Sequence, residues 1–208
     1  IASQLAPCYS CSIDKPTWQV MMLKFYLNRE LSERLGIPLN RWKRWSREFL
    51  PPDPLGGLQS GYARQYSIRD AFHVYLAGYL VSAIGFSIPE ARLVLHDLKT
   101  WLKKNMIDSH ETGDERFGDT DQTLSHVELQ IIPTRCSALP SFSYRIRAMI
   151  ERRSFERDGQ IFWQETFRED VIKPGESMDN GCYPTCPRKV DLSTLANCFF
   201  KYLENNKG

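Results

Sequence analysis

The segment between Leu39 and Arg47 holds the residues whose types and spacing could do the most specific chemistry. It contains four cationic side chains and no carboxylate. Guanidinium and ammonium groups neutralise DNA phosphates and release counterions, and one or two of them could read guanine N7 and O6. The segment therefore predicts a helix that contacts DNA, with a solvated helix of a small α-helical domain as the alternative. The four cations are Arg41, Lys43, Arg44 and Arg47.

Two helices and a glycine turn are predicted to position these cations. Residues 21–50 are predicted to be helical, because leucine recurs every four positions and forms one apolar stripe. Gly36 stands where the first helix should end, and Pro38 stands at the entry of the second. The pattern is a helix-turn-helix with a basic second helix. The leucines of the stripe are Leu23, Leu27, Leu31 and Leu35.

The tryptophans of the second helix raise a choice between packing in the core and stacking on bases. Trp42, Trp45 or Ser46, and Phe49 share one face with Leu39, and the cations lie on other faces. This periodicity favours the core for both tryptophans.

A proline-rich exit and a glycine-rich stretch follow the basic helix. Prolines at 51, 52 and 54 end the helix, and residues 55–65 contain three glycines. The stretch is typical of a β-hairpin or of a plain loop. Beside a basic helix, Arg64 and Tyr66 become candidate phosphate contacts.

Two further helices are predicted from their capping patterns. Ser67 and Asp70 have the spacing of a helix cap, and Ser87 and Glu90 form a capping-box pattern with proline in the first turn. Gly85 is predicted to close the first of these helices. The second is predicted to be a packing helix, with part of a dimer face as an alternative.

The C-terminal part of the sequence changes to a period of two. Alternating apolar residues in segments 125–131, 142–150 and 161–167 predict an antiparallel sheet, although residues 144–153 also fit a helix. Asp158-Gly159 is a strong hairpin-turn signal. Asp191 or Ser193 is predicted to cap a last helix.

These patterns divide the chain into four parts and predict an α+β fold. The predicted parts are an N-terminal arm at 1–20, a mostly helical winged-helix domain at 21–106, an acidic linker at 107–122 and an α+β domain at 123–208. Residues 107–126 hold six carboxylates against one cation. A basic module followed by an acidic connector is a segregated charge pattern.

The composition bounds the class of protein. Of the 208 residues, 42% are hydrophobic and 25% charged, so a real core can be buried. The net charge of +2 is too small to indicate nucleic-acid binding by itself. No apolar run approaches the ~20 residues of a membrane helix, and no signal peptide is evident. Six cysteines are too few for a disulfide scaffold, which favours a reducing cytoplasm.

Two cysteine pairs have metal-ligand spacing. Cys8 and Cys11, with Cys182 and Cys186, could form a four-thiolate zinc site that clips the arm onto the C-terminal domain. Unliganded thiols or a disulfide are the favoured alternatives, so no metal and no cofactor is predicted. Cys136 and Cys198 are predicted to be packed apolar thiols. No catalytic motif is present, and the chain is predicted not to be an enzyme.

The first half of the chain resembles the MerR family of winged-helix regulators over about residues 22–103. The resemblance implies binding of double-stranded DNA as a dimer, with the second helix in the major groove and a wing beside it. Lys43 stands where that family usually has an arginine, and Arg64 matches the wing arginine. Arg44 replaces a usual aromatic residue, and Phe49 a usual glycine. The matching stretches are ELSERLG at 30–36, WKRWSRE with LPP at 42–52, RQYSIRD at 64–70 and IGFSIPEAR at 84–92.

The predicted function is a sequence-specific, homodimeric transcriptional regulator of bacterial or phage type. The C-terminal domain is expected to serve dimerisation or to bind a small-molecule or protein effector. The alternative is a protein-interaction or assembly adaptor, or an excisionase-like architectural protein, on the same scaffold. The predicted contacts with DNA are Arg41, Lys43, Arg44, Arg47, Arg64 and Tyr66.

Overall fold

The computed structural model describes residues 25–53, 63–107, 126–134, 140–172 and 186–204. It has mixed helices and antiparallel strands, which confirms the predicted α+β class. The first half contains β1 (Tyr26–Leu27), α1 (Asn28–Arg34), α2 (Leu39–Phe49), β2 (Gln65–Tyr66), α3 (Ile68–Ser82) and α4 (Ile88–Leu102), which runs into a π-helical turn at Lys103–Ile107. The second half contains β3 (Val127–Thr134), β4 (Ser141–Arg157), β5 (Gln160–Ile172), β6 (Arg188–Asp191) and α5 (Leu192–Glu204). None of the helices in these ranges has the length and apolarity needed to cross a bilayer.

The first helix begins later than the leucine spacing predicts. Tyr26–Leu27 is a strand that pairs antiparallel with Gln65–Tyr66, so Leu27 lies outside the helix and is exposed. Leu31 and Leu35 are buried as predicted. The prediction of an unbroken helical stripe was therefore wrong at Leu27, because a non-local strand pairing overrides the local period. Leu23 lies outside the described residues.

The turn between α1 and α2 and the buried face of α2 both follow the prediction. Gly36 has a φ of 64°, a left-handed conformation that glycine adopts without strain. Trp42 and Trp45 are 0% and 8% exposed, which confirms that both belong to the core. Phe49 and Ser46 share this buried face. The helix is thus fixed by its apolar side, and its opposite side is left to solvent.

Both predicted capping boxes are present. The Ser67 hydroxyl accepts from the Asp70 amide, and the Asp70 carboxylate accepts from the Ser67 amide. Ser87 and Glu90 form the same reciprocal pair at the start of α4. The hydrogen bonds from Ser87 lower the pKa of Glu90. Gly85, with a φ of 81°, follows the end of α3.

A four-stranded antiparallel sheet forms the second half, in the order β5-β4-β3-β6. The β4–β5 turn is at Asp158-Gly159, where both residues have positive φ, as the dipeptide predicts. Residues 144–153 lie in β4, which settles their strand assignment. Strand β6 was not predicted. Asp191 caps α5, since its carboxylate accepts from the Thr194 amide at 2.9 Å.

The helices and the sheet share one core. Phe72 of α3 packs edge-on against Phe199 of α5 with ring centroids 5.3 Å apart. Trp101 of α4 donates its indole N–H to Asp170 of β5 at 3.0 Å. The packing role predicted for α4 is confirmed, because its apolar residues are buried here. The buried residues of α4 are Ala91, Val94, Leu95, Leu98, Trp101 and Leu102.

Tyr144 joins the sheet to α4 and gives the fold a pH dependence. It is fully buried and donates to Asp97 Oδ2 at 2.7 Å. Burial, reinforced by the Asp97 carboxylate, raises the pKa of Tyr144 far above its ordinary value. An unfolded tyrosine loses its proton near pH 10, so this stabilisation is complete below about pH 10 and is lost as the pH rises further.

We expect Tyr144→Phe to cost about 1 kcal/mol of unfolding free energy at pH 7, through the lost hydrogen bond. The variant should also lose less stability than the parent above about pH 10. The variant should still lose some stability above about pH 10, because burial also raises the pKa of Tyr26, Tyr66 and Tyr75. Urea unfolding followed by circular dichroism from pH 7 to 11 measures both effects. Exposed Tyr202 provides the control Tyr202→Phe, and identical pH curves for parent and Tyr144→Phe would contradict the assignment.

Candidate nucleic-acid interface

The cations of α2 all lie on its outer surface. Arg41, Lys43, Arg44 and Arg47 are exposed, because the helix turns its tryptophans inward. Within the described residues none of the four forms an ion pair. No carboxylate of the described residues pairs with these four cations, so their positive charges face solvent.

Part of this cationic surface lines an open groove of about 670 Å³. Lys43 and Arg47, one helical turn apart on α2, form one side, and Arg64 approaches from the start of β2. Asn40 lies one turn before Lys43 on the same stripe. Asp53 contributes the one carboxylate among the described lining residues. The groove combines three permanent cations with amide donors, which is a chemistry that suits a phosphate.

Arg41 and Arg44 do not line the groove. They occupy the neighbouring exposed face of α2, next to Glu48, which is bound to Arg92 of α4. Of the six predicted contacts with DNA, the structure thus brings four to the groove and leaves these two beside it. The four residues at the groove are Lys43, Arg47, Arg64 and Tyr66.

Two contacts hold Arg64 in place. Its Nη2 donates to the Pro51 carbonyl at 2.9 Å, which ties the strand to the exit of α2. Its guanidinium carbon lies 5.6 Å from the centroid of the Tyr66 ring, a cation–π distance. A guanidinium has five N–H donors, so the donation to Pro51 leaves several others to face an anion.

Tyr66 lies beneath the surface of the groove and holds its elements together through hydrogen bonds. Its side chain is 1% exposed, and its hydroxyl donates to Asn28 Oδ1 at 2.6 Å. Ser46 Oγ lies 2.6 Å from the same hydroxyl oxygen and, because the tyrosine proton goes to Asn28, donates to it. Burial raises the pKa of Tyr66, which keeps this hydroxyl protonated. The structure gives Tyr66 a positioning role rather than the surface contact expected from sequence.

Sequence reasoning missed the two asparagines of the groove. Asn40, Lys43 and Arg47 follow helical spacing, so the sequence did carry a signal for Asn40. The Asn40 oxygen accepts from the Arg41 amide at 2.8 Å, which leaves its NH₂ group as a donor. Asn28 had no such signal, since its role depends on Tyr66, 38 residues away along the chain.

The cysteines considered as candidate zinc ligands lie mostly outside the described residues. Cys8, Cys11 and Cys182 lie outside the described residues, as does Cys136, whereas Cys186 is exposed and free. Cys198 is half-buried and also free. Within the described ranges no group of three or more metal-ligating side chains is brought together.

No protein-family model matches the chain, and no curated protein matches it significantly. The resemblance to MerR regulators therefore stays a prediction.

Proposed function

We propose that this chain is a sequence-specific, double-stranded DNA-binding regulator of transcription, with α2 as the helix that enters the major groove. The observation that carries the proposal is the convergence of Lys43, Arg47 and Arg64 on one open groove. These cations come from two elements joined by the Ser46–Tyr66–Asn28 hydrogen bonds. A preorganised set of cations binds phosphate with less loss of side-chain freedom than scattered surface lysines do.

The other side of α2 is suited to base contacts. The major groove of B-DNA admits one α-helix, and Arg41 and Arg44 extend from the face next to the phosphate groove. If Lys43, Arg47 and Arg64 bind phosphates, Arg41 and Arg44 can form hydrogen bonds with the edges of the bases. The resemblance to MerR regulators supports the same orientation.

The chemistry of the groove favours binding over catalysis. Three of its charged groups are Lys43, Arg47 and Arg64. Lysine and arginine keep their charge throughout the physiological pH range and are poorly suited to proton transfer in an open, hydrated groove. We therefore propose a non-enzymatic regulator.

A protein-interaction adaptor is the second candidate function. The observation that favours it is a set of exposed apolar side chains on β4 and β5, including Ile161 and Trp163. Such side chains mark surfaces that other proteins cover. An adaptor of this kind would bind its partner without needing the cations of α2.

Replacing Lys43 and Arg44 together by alanine is expected to weaken binding to duplex DNA. The slope of log K against log salt concentration should become shallower by about 1, because Lys43 contacts a phosphate whereas Arg44 faces base edges. Genomic fragments selected by the parent protein supply the DNA, and electrophoretic shifts between 50 and 200 mM salt measure the slope.

A matched control removes the same charge elsewhere. Arg157 and Lys201 are exposed on β4 and α5, so Arg157→Ala plus Lys201→Ala should leave the salt slope unchanged. Binding by the Lys43/Arg44 variant that equals the parent's across the salt range would refute the DNA-binding function and favour the adaptor.

A further inference from the structure

The strands β4 and β5 continue well beyond the core as a two-stranded ribbon. From residue 150 to the end of β4, and over residues 160–166 of β5, every residue is exposed. We call residues 150–166 the ribbon. A two-stranded hairpin without a covering layer is marginally stable in water at best. We therefore expect a binding partner to cover the ribbon and stabilise it.

The apolar side chains of the ribbon are unusually accessible. Ile161 is 68% exposed and Trp163 is 56% exposed, and Phe155, Phe162 and Ile150 are each exposed by two fifths or more. Three half-exposed aromatic rings and two isoleucines present on the order of 400 Å² of apolar surface. These side chains lie on both faces of the ribbon, so one face alone supplies only part of the apolar area on one side of a standard protein interface, which is about 800 Å² with somewhat over half of it apolar.

The strand register places Trp163 and Ile161 on one face. Ser154 pairs with Trp163, Glu156 with Ile161 and Arg152 with Glu165. Because alternate residues point to opposite sides of a strand, these pairs share one side, which we call the tryptophan face. The stacked pair Phe155 and Phe162 belongs to the opposite face. The tryptophan face consists of Arg152, Ser154, Glu156, Ile161, Trp163 and Glu165.

The charge of the ribbon points to a protein as its occupant. Residues 150–166 hold three cations and four carboxylates. A polyanion such as nucleic acid requires an excess of cations, which the ribbon lacks. A protein surface with both signs of charge and an apolar centre fits this arrangement.

The order of charges on the tryptophan face is self-complementary. Arg152 and Glu156 lie two positions on either side of Ser154 in β4. A two-fold axis through the Ser154–Trp163 pair would place Arg152 of one copy opposite Glu156 of the other, twice over, with the tryptophans between them. Arg152 is already held on this face, with its guanidinium carbon 4.3 Å from the centroid of the Trp163 ring and Nε 3.4 Å from Glu165.

We infer that the tryptophan face of the ribbon binds the same face of a second copy of this chain. The resulting isologous contact packs Trp163 on Trp163 of the second copy, places Ile161 opposite Glu165 of that copy, and forms two Arg152–Glu156 ion pairs between copies. It involves no residue of α2 or of the groove, so it holds whether or not the chain binds DNA.

The first test measures the mass of the chain in solution. Analytical ultracentrifugation at micromolar concentration should give a dimer for the parent chain. Ile161→Ser plus Trp163→Ser should raise the dissociation constant at least tenfold, with an unchanged circular dichroism spectrum. Gln164 lies on the opposite face, so Gln164→Ser is the matched control and should leave the dimer intact. A monomeric parent would overturn the inference.

The second test reverses the charge at each of the two positions that face each other across the dimer. In Arg152→Glu both facing positions are acidic, and in Glu156→Arg both are basic, so each variant alone should be monomeric. An equimolar mixture should form a mixed dimer, because each pair of facing positions then has opposite charges. Dimers of either variant alone, or no association in the mixture, would exclude the proposed two-fold contact.

Discussion

Replacing Lys43, Arg47 and Arg64 together by alanine is expected to reduce the affinity for duplex DNA by a factor on the order of 10²–10³ at 100 mM salt. Each phosphate contact contributes about 0.9 to the dependence of log K on log salt concentration, so three contacts account for about 2.7. At 0.1 M salt this slope corresponds to the stated loss. The three side chains act together because they line one groove.

The triple variant should keep its fold. Lys43 and Arg47 are exposed and unpaired within the described residues, and Arg64 gives up its hydrogen bond to the Pro51 carbonyl. Fluorescence anisotropy with a selected DNA fragment, together with a thermal melt, separates affinity from stability. A variant that removes Arg153, Arg157 and Lys201 has the same change of charge and should bind as the parent does. A loss below tenfold in the groove variant, with an unchanged melt, would show that the groove does not hold phosphates.

Gly78→Ala is expected to lower the free energy of unfolding by about 1–2 kcal/mol, even though alanine is the better helix former. Gly78 lies in α3 where α2 crosses it, and a Cβ there would overlap the Trp45 ring, with Cη2 only 2.7 Å away. Trp45 is itself buried and cannot swing into solvent. The penalty of overpacking therefore exceeds the gain of about 1 kcal/mol in helix propensity.

A second substitution tests the cause. Trp45→Leu removes the ring that the new methyl group meets, so Gly78→Ala should cost much less in that background than in the parent. The difference is an interaction energy that urea unfolding of the four chains measures as a double-mutant cycle. If the losses of unfolding free energy caused by Gly78→Ala and Trp45→Leu simply add in the double variant, the Gly78–Trp45 contact is not the cause of the Gly78→Ala penalty. DNA affinity should fall in Gly78→Ala as well, because Trp45 orients the helix that carries the cations.

Local chemistry made several elements predictable. The Ser67–Asp70 cap and the Asp158-Gly159 turn depend only on residues a few positions apart, and both are present. The core position of Trp42 followed from helical spacing alone. By contrast, Tyr26–Leu27 becomes a strand only because Gln65–Tyr66 lies beside it, and two residues carry no periodicity that a sequence could show.

The candidate site was predictable in its composition and not in its geometry. Helical spacing alone places Lys43 and Arg47 on one stripe. The approach of Arg64 depends on the β1–β2 pairing and on the Pro51 carbonyl, both of which are tertiary contacts. The burial of Tyr66 likewise depends on Ser46 and Asn28. Residue types therefore indicated the chemistry, and long-range packing decided which side chains meet.

The core that joins the two halves has a consequence for inheritance. Arg34 of α1 donates to the Leu203 carbonyl near the end of α5, and Phe72 of α3 packs on Phe199. A recombination event that kept the helical half and replaced the rest would uncover these aromatic rings and leave this arginine without its acceptor. We therefore expect the helical half not to spread between genes as a separate domain. Substitutions at this contact in one half should be accompanied by compensating substitutions in the other half.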